Sequence, residues 1–273
     1  MNLRLFVADI DDTLRGRASM RPGPVTCSAF EEMHRRGITV GIASGRPLWQ
    51  GVSEHASEWG LSFQFDFLIG MNGGELWTAR TDRKEESHLL TTEALKEIVT
   101  TLHGQKDINP FVYREGYELS LYTDEEMVRS GLRHHCRVVQ CGSEADLWAE
   151  PTGKILYRCG TAENGKAVEE FGKAAFGSRI SCFRTGPDLV ELQDPENNKG
   201  AALRAYCSEN GISLSDAIAF GDAENDIEML KIAGRSVCMI NGMDDVKAIA
   251  DDLTAYDCNH DGVGHYLYDH HLI

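Results

Sequence analysis

The chain has 273 residues, 42% hydrophobic and 26% charged, a globular composition with enough apolar material for one large domain or two modest ones. With 43 acidic residues against 27 basic ones the formal net charge is −16, which repels nucleic acid and anionic lipid and excludes both as expected partners. A phosphate-bearing ligand would need positive charge supplied locally.

The start, MNLRLFVADID, has no long apolar segment behind a basic stretch, and no run approaches the ~20 apolar residues of a membrane span. The eight cysteines are scattered without a C-x-x-C pair, so they read as reduced thiols of a cytoplasmic protein rather than as zinc ligands.

In chain order, LRLFVADI (3–10) reads as a buried strand, and Val25 to Gly37 as a helix with Phe30 and Met33 on its apolar face. ITVGIAS (38–44) and DFLIGMN (66–72) are strands again. Between residues 83 and 187 the texture changes. FVYREGYELSLYT, CRVVQ, KILYRC and ISCFR alternate polar and apolar residues, and TEALKEIVTTL carries Leu95, Ile98, Val99 and Leu102 on one helical face. This predicts an antiparallel sheet with one packed face and one wet face. After it, NNKGAALRAYCSENG is a helix, DAIAFGD a strand, ENDIEMLKIAG a helix and RSVCMI a strand. The expected fold is α/β: a doubly wound, mainly parallel sheet formed by 1–82 and 188–273, with a smaller α+β domain, 83–187, inserted into it.

Ligands of such sheets bind at the carboxyl ends of the strands. The first strand delivers Asp9, Asp11, Asp12 and Thr13 there, and the second Ser44, Gly45 and Arg46. The third delivers Asn72-Gly73-Gly74, and the first strand after the insertion Gly221-Asp222, followed by Asn225 and Asp226. Asn198-Lys199-Gly200 opens the preceding helix. Carboxylates so crowded cost about 4 kcal/mol per pair at ~4 Å and an effective dielectric near 20. Either their pKa values rise or a cation sits among them. The ligands are all oxygen, which favours Mg²⁺ over zinc, and Ser44 and Lys199 offer the donor and the charge that hold a phosphoryl group.

D-I-D-D-T-L, A-S-G-R, N-K-G and G-D-A-E-N-D-I-E-M-L resemble the four ordered motifs of the haloacid dehalogenase (HAD) superfamily, over residues 1–80 and 188–273. The tail, with N-G-M-D-D-V-K and D-G-V-G, resembles the Cof-like phosphatases, whose α+β cap is inserted between the second and third motifs. The resemblance implies a Mg²⁺-dependent hydrolase of small phosphorylated metabolites that works through an aspartyl phosphate. Asp9 would be the nucleophile and Asp11 the general acid and base. Asp9, Asp222 and the main-chain carbonyl of Asp11 would hold the metal, and Ser44 and Lys199 the phosphoryl oxygens. Gly45, Arg46, Asn72, Asn198, Asn225 and Asp226 would support the substrate or the site. Family members commonly carry glycine where this chain has Asp12, which is expected to face solvent or the metal's water.

A phosphomutase of the same superfamily shares these motifs and is the first alternative. A receiver-type signalling module is the second, but it is about half this length and carries its phosphorylated aspartate mid-chain. The pairs His134-His135 and His270-His271 read as surface residues, since adjacent side chains point apart, and Trp49, Trp59, Trp77 and Trp148 read as packing.

Overall fold

The computed structural model describes residues 2–16, 18–50, 52–133 and 136–273; His134 and His135 lie outside them. Strands β1 (Leu5–Ala8), β2 (Thr39–Ala43), β3 (Phe67–Gly70), β4 (Glu75–Thr78) and β5 (Arg83–Glu86) are followed by β6 (Asn109–Arg114), β7 (Tyr117–Ser120) and β8 (Arg137–Gln140). Then come β9 (Lys154–Arg158), β10 (Ser181–Gly186), β11 (Leu189–Gln193), β12 (Ala217–Gly221), β13 (Arg235–Cys238) and β14 (Asp252–Leu253). The helices are α1 (Pro24–Arg35), α2 (His55–Glu58), α3 (Thr92–Leu102), α4 (Glu125–Arg133), α5 (Ala162–Phe176), α6 (Lys199–Asn210), α7 (Ile227–Ile232), α8 (Asp244–Lys247) and α9 (Gly262–Asp269). None of them is long and apolar enough to cross a membrane.

The chain divides into two compact units. One is Met1–Leu48, Val52–Glu85 and Asn198–Ile273; the other is Trp49–Gly51 and Glu86–Asn197. In the first, eight strands lie in the order β14-β13-β12-β1-β2-β3-β4-β5, and β14 through β3 pair in parallel. The apolar run of β1 follows from burial on both faces. Phe6 and Ala8 join Phe30 and Met33 of α1 and Val263 and Leu267 of α9. Leu5 and Val7 join Leu203 and Tyr206 of α6 and Met229 and Leu230 of α7. Aromatic contacts knit each face: Phe6 meets Phe30 edge-on at 5.5 Å, and Phe67 stacks on Tyr206 at 4.0 Å.

In the second unit six strands lie in the order β10-β11-β9-β6-β7-β8. Leu95, Ile98, Val99 and Leu102 of α3 and Val168 and Phe176 of α5 pack with Ile155, Tyr157 and Val190 from one sheet face. Two expectations differ from what is observed. The sheet is mixed, because β7 and β8 pair in parallel. Its polar face is also not wet: Glu118, Ser120, Lys154 and Glu191 are buried, and Lys154 Nζ lies 2.7 Å from Glu191 Oε2. Alternation reveals which residues share a face, but a paired and buried polar face carries the same pattern as a solvated one. The second unit also runs ten residues beyond 187, because β10 and β11 form a hairpin across Pro187-Asp188 and β11 pairs with β9. A cavity of about 650 Å³ in this unit, between Val99, Ile108, Leu121 and Tyr157, shares no residue with the strand-end carboxylates.

Gly73 joins the third strand end to α6. It has φ +123°, and a Cβ there would lie 2.3 Å from the carbonyl oxygen of Asn198. Both backbone strain and a main-chain clash oppose any side chain. Gly73→Ala should therefore destabilise the protein by roughly 1–3 kcal/mol, read as a lower urea midpoint with an unchanged slope. An unaltered midpoint would show that the α6 approach is not rigid.

Candidate active site

Parallel register gathers the polar residues at one sheet edge. Ala8 is level with Ile42 of β2 and with Phe220 of β12, so Asp9, Ser44 and Asp222 all emerge just past the strand ends. Two main-chain bonds fix the edge: Asp9 N–H donates to Phe220 O at 3.1 Å and Ser44 N–H to Ile69 O at 2.7 Å.

Lys199 is the hub. It is the first residue of α6, whose N-cap Asn198 accepts a hydrogen bond from Ala201 N–H at 2.8 Å. Its side chain is fully buried, and Nζ donates to Asp9 Oδ1 at 2.5 Å and to Asp226 Oδ1 at 2.6 Å. Asp226 spends its other oxygen on the backbone N–H groups of Asp222 (3.0 Å) and Ala223 (3.1 Å). Thr13 Oγ1 donates to Asp222 Oδ1 at 2.6 Å. One oxygen each of Asp9 and Asp222 therefore has no partner among the described residues.

The charge does not balance. Oxygens of Asp9, Asp222 and Asp226 lie within 4.8 Å of one another, with Lys199 the one cation bonded to them among the described residues. Burial is the largest cause pushing the Asp9 carboxyl up to about 7; Lys199 pulls the other way, while Asp226 and Asp11 add to the rise. Burial, then Asp226 and Asp9, holds Asp222 well above the ordinary carboxylate range. Burial opposes the charge on Lys199, but Asp226 and Asp9 outweigh it and raise its pKa. A buried oxygen set that repels itself fits a hard divalent cation. Of its members, Asp226 is already saturated by Lys199 and two N–H groups, so Asp9 and Asp222 have the oxygens to offer.

Arg46 Nη2 lies 2.5 Å from Asp11 Oδ2, so it meets the acidic motif rather than open solvent. Ser44 Oγ accepts from Arg46 N–H at 3.1 Å, keeping its own proton for another acceptor. Asn72, at φ +60°, accepts from Asn225 Nδ2 at 3.0 Å, and its N–H donates to Ser44 O. Asn198 caps its own helix, and Gly45, which has no side chain, shapes the backbone between Ser44 and Arg46. Asp12 has φ +67°, the left-handed turn that glycine adopts most easily and aspartate tolerates. His270 and His271 are exposed at the end of α9, and Trp59 is packed against Phe30 and Phe65.

Three participants were not foreseen. Thr13 stood within the first motif without a role. Arg15 is buried, donates to Ser19 O and Met20 O, and lies 3.5 Å from Asp11 Oδ1. Asn241 donates to Asp12 O at 2.7 Å. Thr13 had a signal in the D-I-D-D-T-L motif and Asn241 in the N-G-M-D-D-V-K tail, but neither motif shows the partner; Arg15 had no signal.

The family model of haloacid dehalogenase-like hydrolases matches residues 6–267. The chain belongs to this family. An HMP-PP phosphatase of Cronobacter sakazakii is 30% identical over 97% of this chain and 94% of its own length. The fold is shared with a haloacid dehalogenase-like hydrolase of B. subtilis (TM-score 0.84, 20% identity, 99% of this chain and all of that one). It is shared equally with a HAD subclass IIB sugar phosphatase (TM-score 0.83, 23% identity, the same coverage). This HAD-type phosphatase thus has the doubly wound core expected from its strand pattern, and its family generally uses a metal ion at such an acidic cluster.

The raised Asp9 pKa has a consequence for stability. Between about pH 4 and 7 the folded chain retains a proton that the unfolded chain has released, so stability falls as pH rises through that window. In chelator, wild type should lose stability relative to Asp9→Asn by up to ~1.4 kcal/mol per pH unit, and Mg²⁺ should remove the difference by favouring the charged form. Parallel curves for the two proteins in chelator would show that Asp9 is ionised throughout.

Proposed function

We propose that this phosphatase hydrolyses small phosphomonoesters or closely related phosphorylated metabolites through an Asp9 aspartyl phosphate, with Mg²⁺ as cofactor. The observation that carries the reading is Lys199, buried between Asp9 and Asp226 and fixing one Asp9 oxygen while the other stays unbonded. An ammonium has three donors, so one N–H of Lys199 remains for a phosphoryl oxygen. Ser44 Oγ–H supplies another.

In the first step the unbonded Asp9 oxygen attacks phosphorus. The P–O bond to the organic group breaks, and Asp11 protonates the departing oxygen. In the second, Asp11 takes a proton from water, the hydroxyl oxygen bonds phosphorus, and the Asp9–phosphorus bond breaks to release phosphate and the free carboxylate. Asp9, through the oxygen it does not use in the attack, Asp222 and the Asp11 carbonyl are the groups that would hold Mg²⁺, which would supply positive charge against the phosphoryl oxygens. Arg46 and Arg15 hold the Asp11 carboxyl in place from two sides.

The organic part of the substrate is the finer question. HMP-PP, named for the Cronobacter relative, and sugar phosphates, suggested by the structurally similar sugar phosphatase, form the first panel to rank by kcat/KM. Free phosphate should accumulate in step with the dephosphorylated product; phosphoryl return to a sugar would mark a mutase instead.

Turnover should stop in chelator and return with Mg²⁺. Asp9→Asn should abolish an acid-stable, hydroxylamine-sensitive phosphoenzyme trapped during turnover. Asp11→Asn keeps the shape but cannot shuttle a proton, and should lower kcat by about 10²–10⁴. A phosphoenzyme persisting in the Asp9→Asn protein would refute the assignment.

A further inference from the structure

The segment after β13 grips both strand ends that carry the carboxylates. On the β12 side, Met239 N–H donates to Gly221 O at 3.0 Å and Met243 N–H to Asp222 O at 2.8 Å, so the peptides flanking the Asp222 side chain are tied to it. On the β1 side, Asn241 reaches across: its Nδ2 donates to Asp12 O at 2.7 Å, and its Oδ1 accepts from Cys258 N–H at 3.1 Å. The two partners fix the amide's orientation, since its donor end meets a carbonyl and its acceptor end an N–H. Asp12 is the left-handed residue of the turn that follows Asp9 and Asp11, and its own N–H is bonded to Arg15 O at 2.7 Å. With the carbonyl held by Asn241, the turn is pinned on both sides.

We propose that Asn241 is a positioning residue that holds the Asp11–Asp12 turn at a fixed distance from the Asp222 strand end, and so sets the spacing of the groups that would bind the divalent cation. This rests on the reading of Asp9, Asp11 and Asp222 given above. The argument is geometric. The groups that would hold the cation come from two strands, and Thr13 Oγ1 and Asn241 Nδ2 tie the first turn by side chain to the second strand end and the segment beyond it. Thr13 fixes an Asp222 oxygen; Asn241 fixes the main chain, from which the Asp11 carbonyl would act. Mg²⁺ demands near-ideal octahedral geometry, so small shifts in ligand spacing weaken it sharply. Asn241 is itself exposed, so losing its bonds should alter spacing far more than global stability.

Calorimetric titration of Mg²⁺ into the full chain tests this. Asn241→Ala and Asn241→Leu should each bind Mg²⁺ about tenfold more weakly than wild type, the scale typical of groups that orient metal ligands. Their KM for a phosphomonoester at saturating Mg²⁺ and their thermal midpoints should stay unchanged. Thr254→Val is the control: it removes the bond from Ile240 N–H to Thr254 Oγ1 in the same segment and leaves the Asp12 contact. It should lower the thermal midpoint without changing Mg²⁺ affinity. Unchanged affinity in both Asn241 variants overturns the inference while wild-type binding upholds the cation reading. An equal loss in Thr254→Val assigns the effect to the segment's stability and overturns it too. If wild type takes up no Mg²⁺, both the inference and the reading beneath it fall.

Discussion

The ammonium of Lys199, held between Asp9 and Asp226 in the protein interior, is the interaction on which the site depends. A buried carboxylate pair without it would lose its charge or expel its strand ends into water. Lys199 reaches that position because α6 begins at it, capped by Asn198. Gly200, next in the helix, lets α6 approach α7 so closely that a Cβ would lie 2.5 Å from Glu228 O. Removing one partner of such a buried pair costs about 3–5 kcal/mol, much of it from the charge left behind. Chemistry and folding stability therefore meet in one side chain.

The parallel sheet makes that meeting possible. In an antiparallel arrangement the ends of neighbouring strands point opposite ways, and Asp9 and Asp222 would lie at opposite edges. With β2, β1 and β12 parallel and in register, a carboxylate placed just past one strand end lies beside residues placed just past the next. Burial on both faces, by α1 and α9 on one side and α6 and α7 on the other, lowers the local dielectric and sharpens every charge at the edge.

The residues that emerge at strand ends were readable because each lies next to an apolar run that betrays its strand. D-I-D-D-T-L, A-S-G-R and G-D-A-E-N-D all have that form, and Lys199 sits at a helix start marked by its own cap residue. What stayed hidden depends on contacts that no local pattern encodes. The bond from Asn241 to Asp12 spans 229 residues. The anchoring of Arg15 uses the carbonyls of Ser19 and Met20, and any residue supplies a carbonyl. The polar side of the second sheet alternated as a solvated face does, and pairings such as Lys154 with Glu191 and Gln50 with Glu118 explain how it is buried.

The hydrogen bonds of the centre also divide its carboxylate oxygens into engaged ones and ones with no partner among the described residues. Asp226 has both oxygens engaged, one by Lys199 and one by two backbone N–H groups, and so serves as a fixed reference. Asp9 and Asp222 each have one oxygen engaged, by Lys199 and by Thr13, which fixes the carboxylate plane and leaves the second oxygen directed by the first. A carboxylate held this way has lost most of its rotational freedom before any ligand arrives, so that loss is charged to folding rather than to binding. The raised pKa values of Asp9 and Asp222 are the electrostatic side of the same arrangement. The fold keeps the carboxylates of Asp9, Asp222 and Asp226 close together against their repulsion, with the buried ammonium of Lys199 set against it.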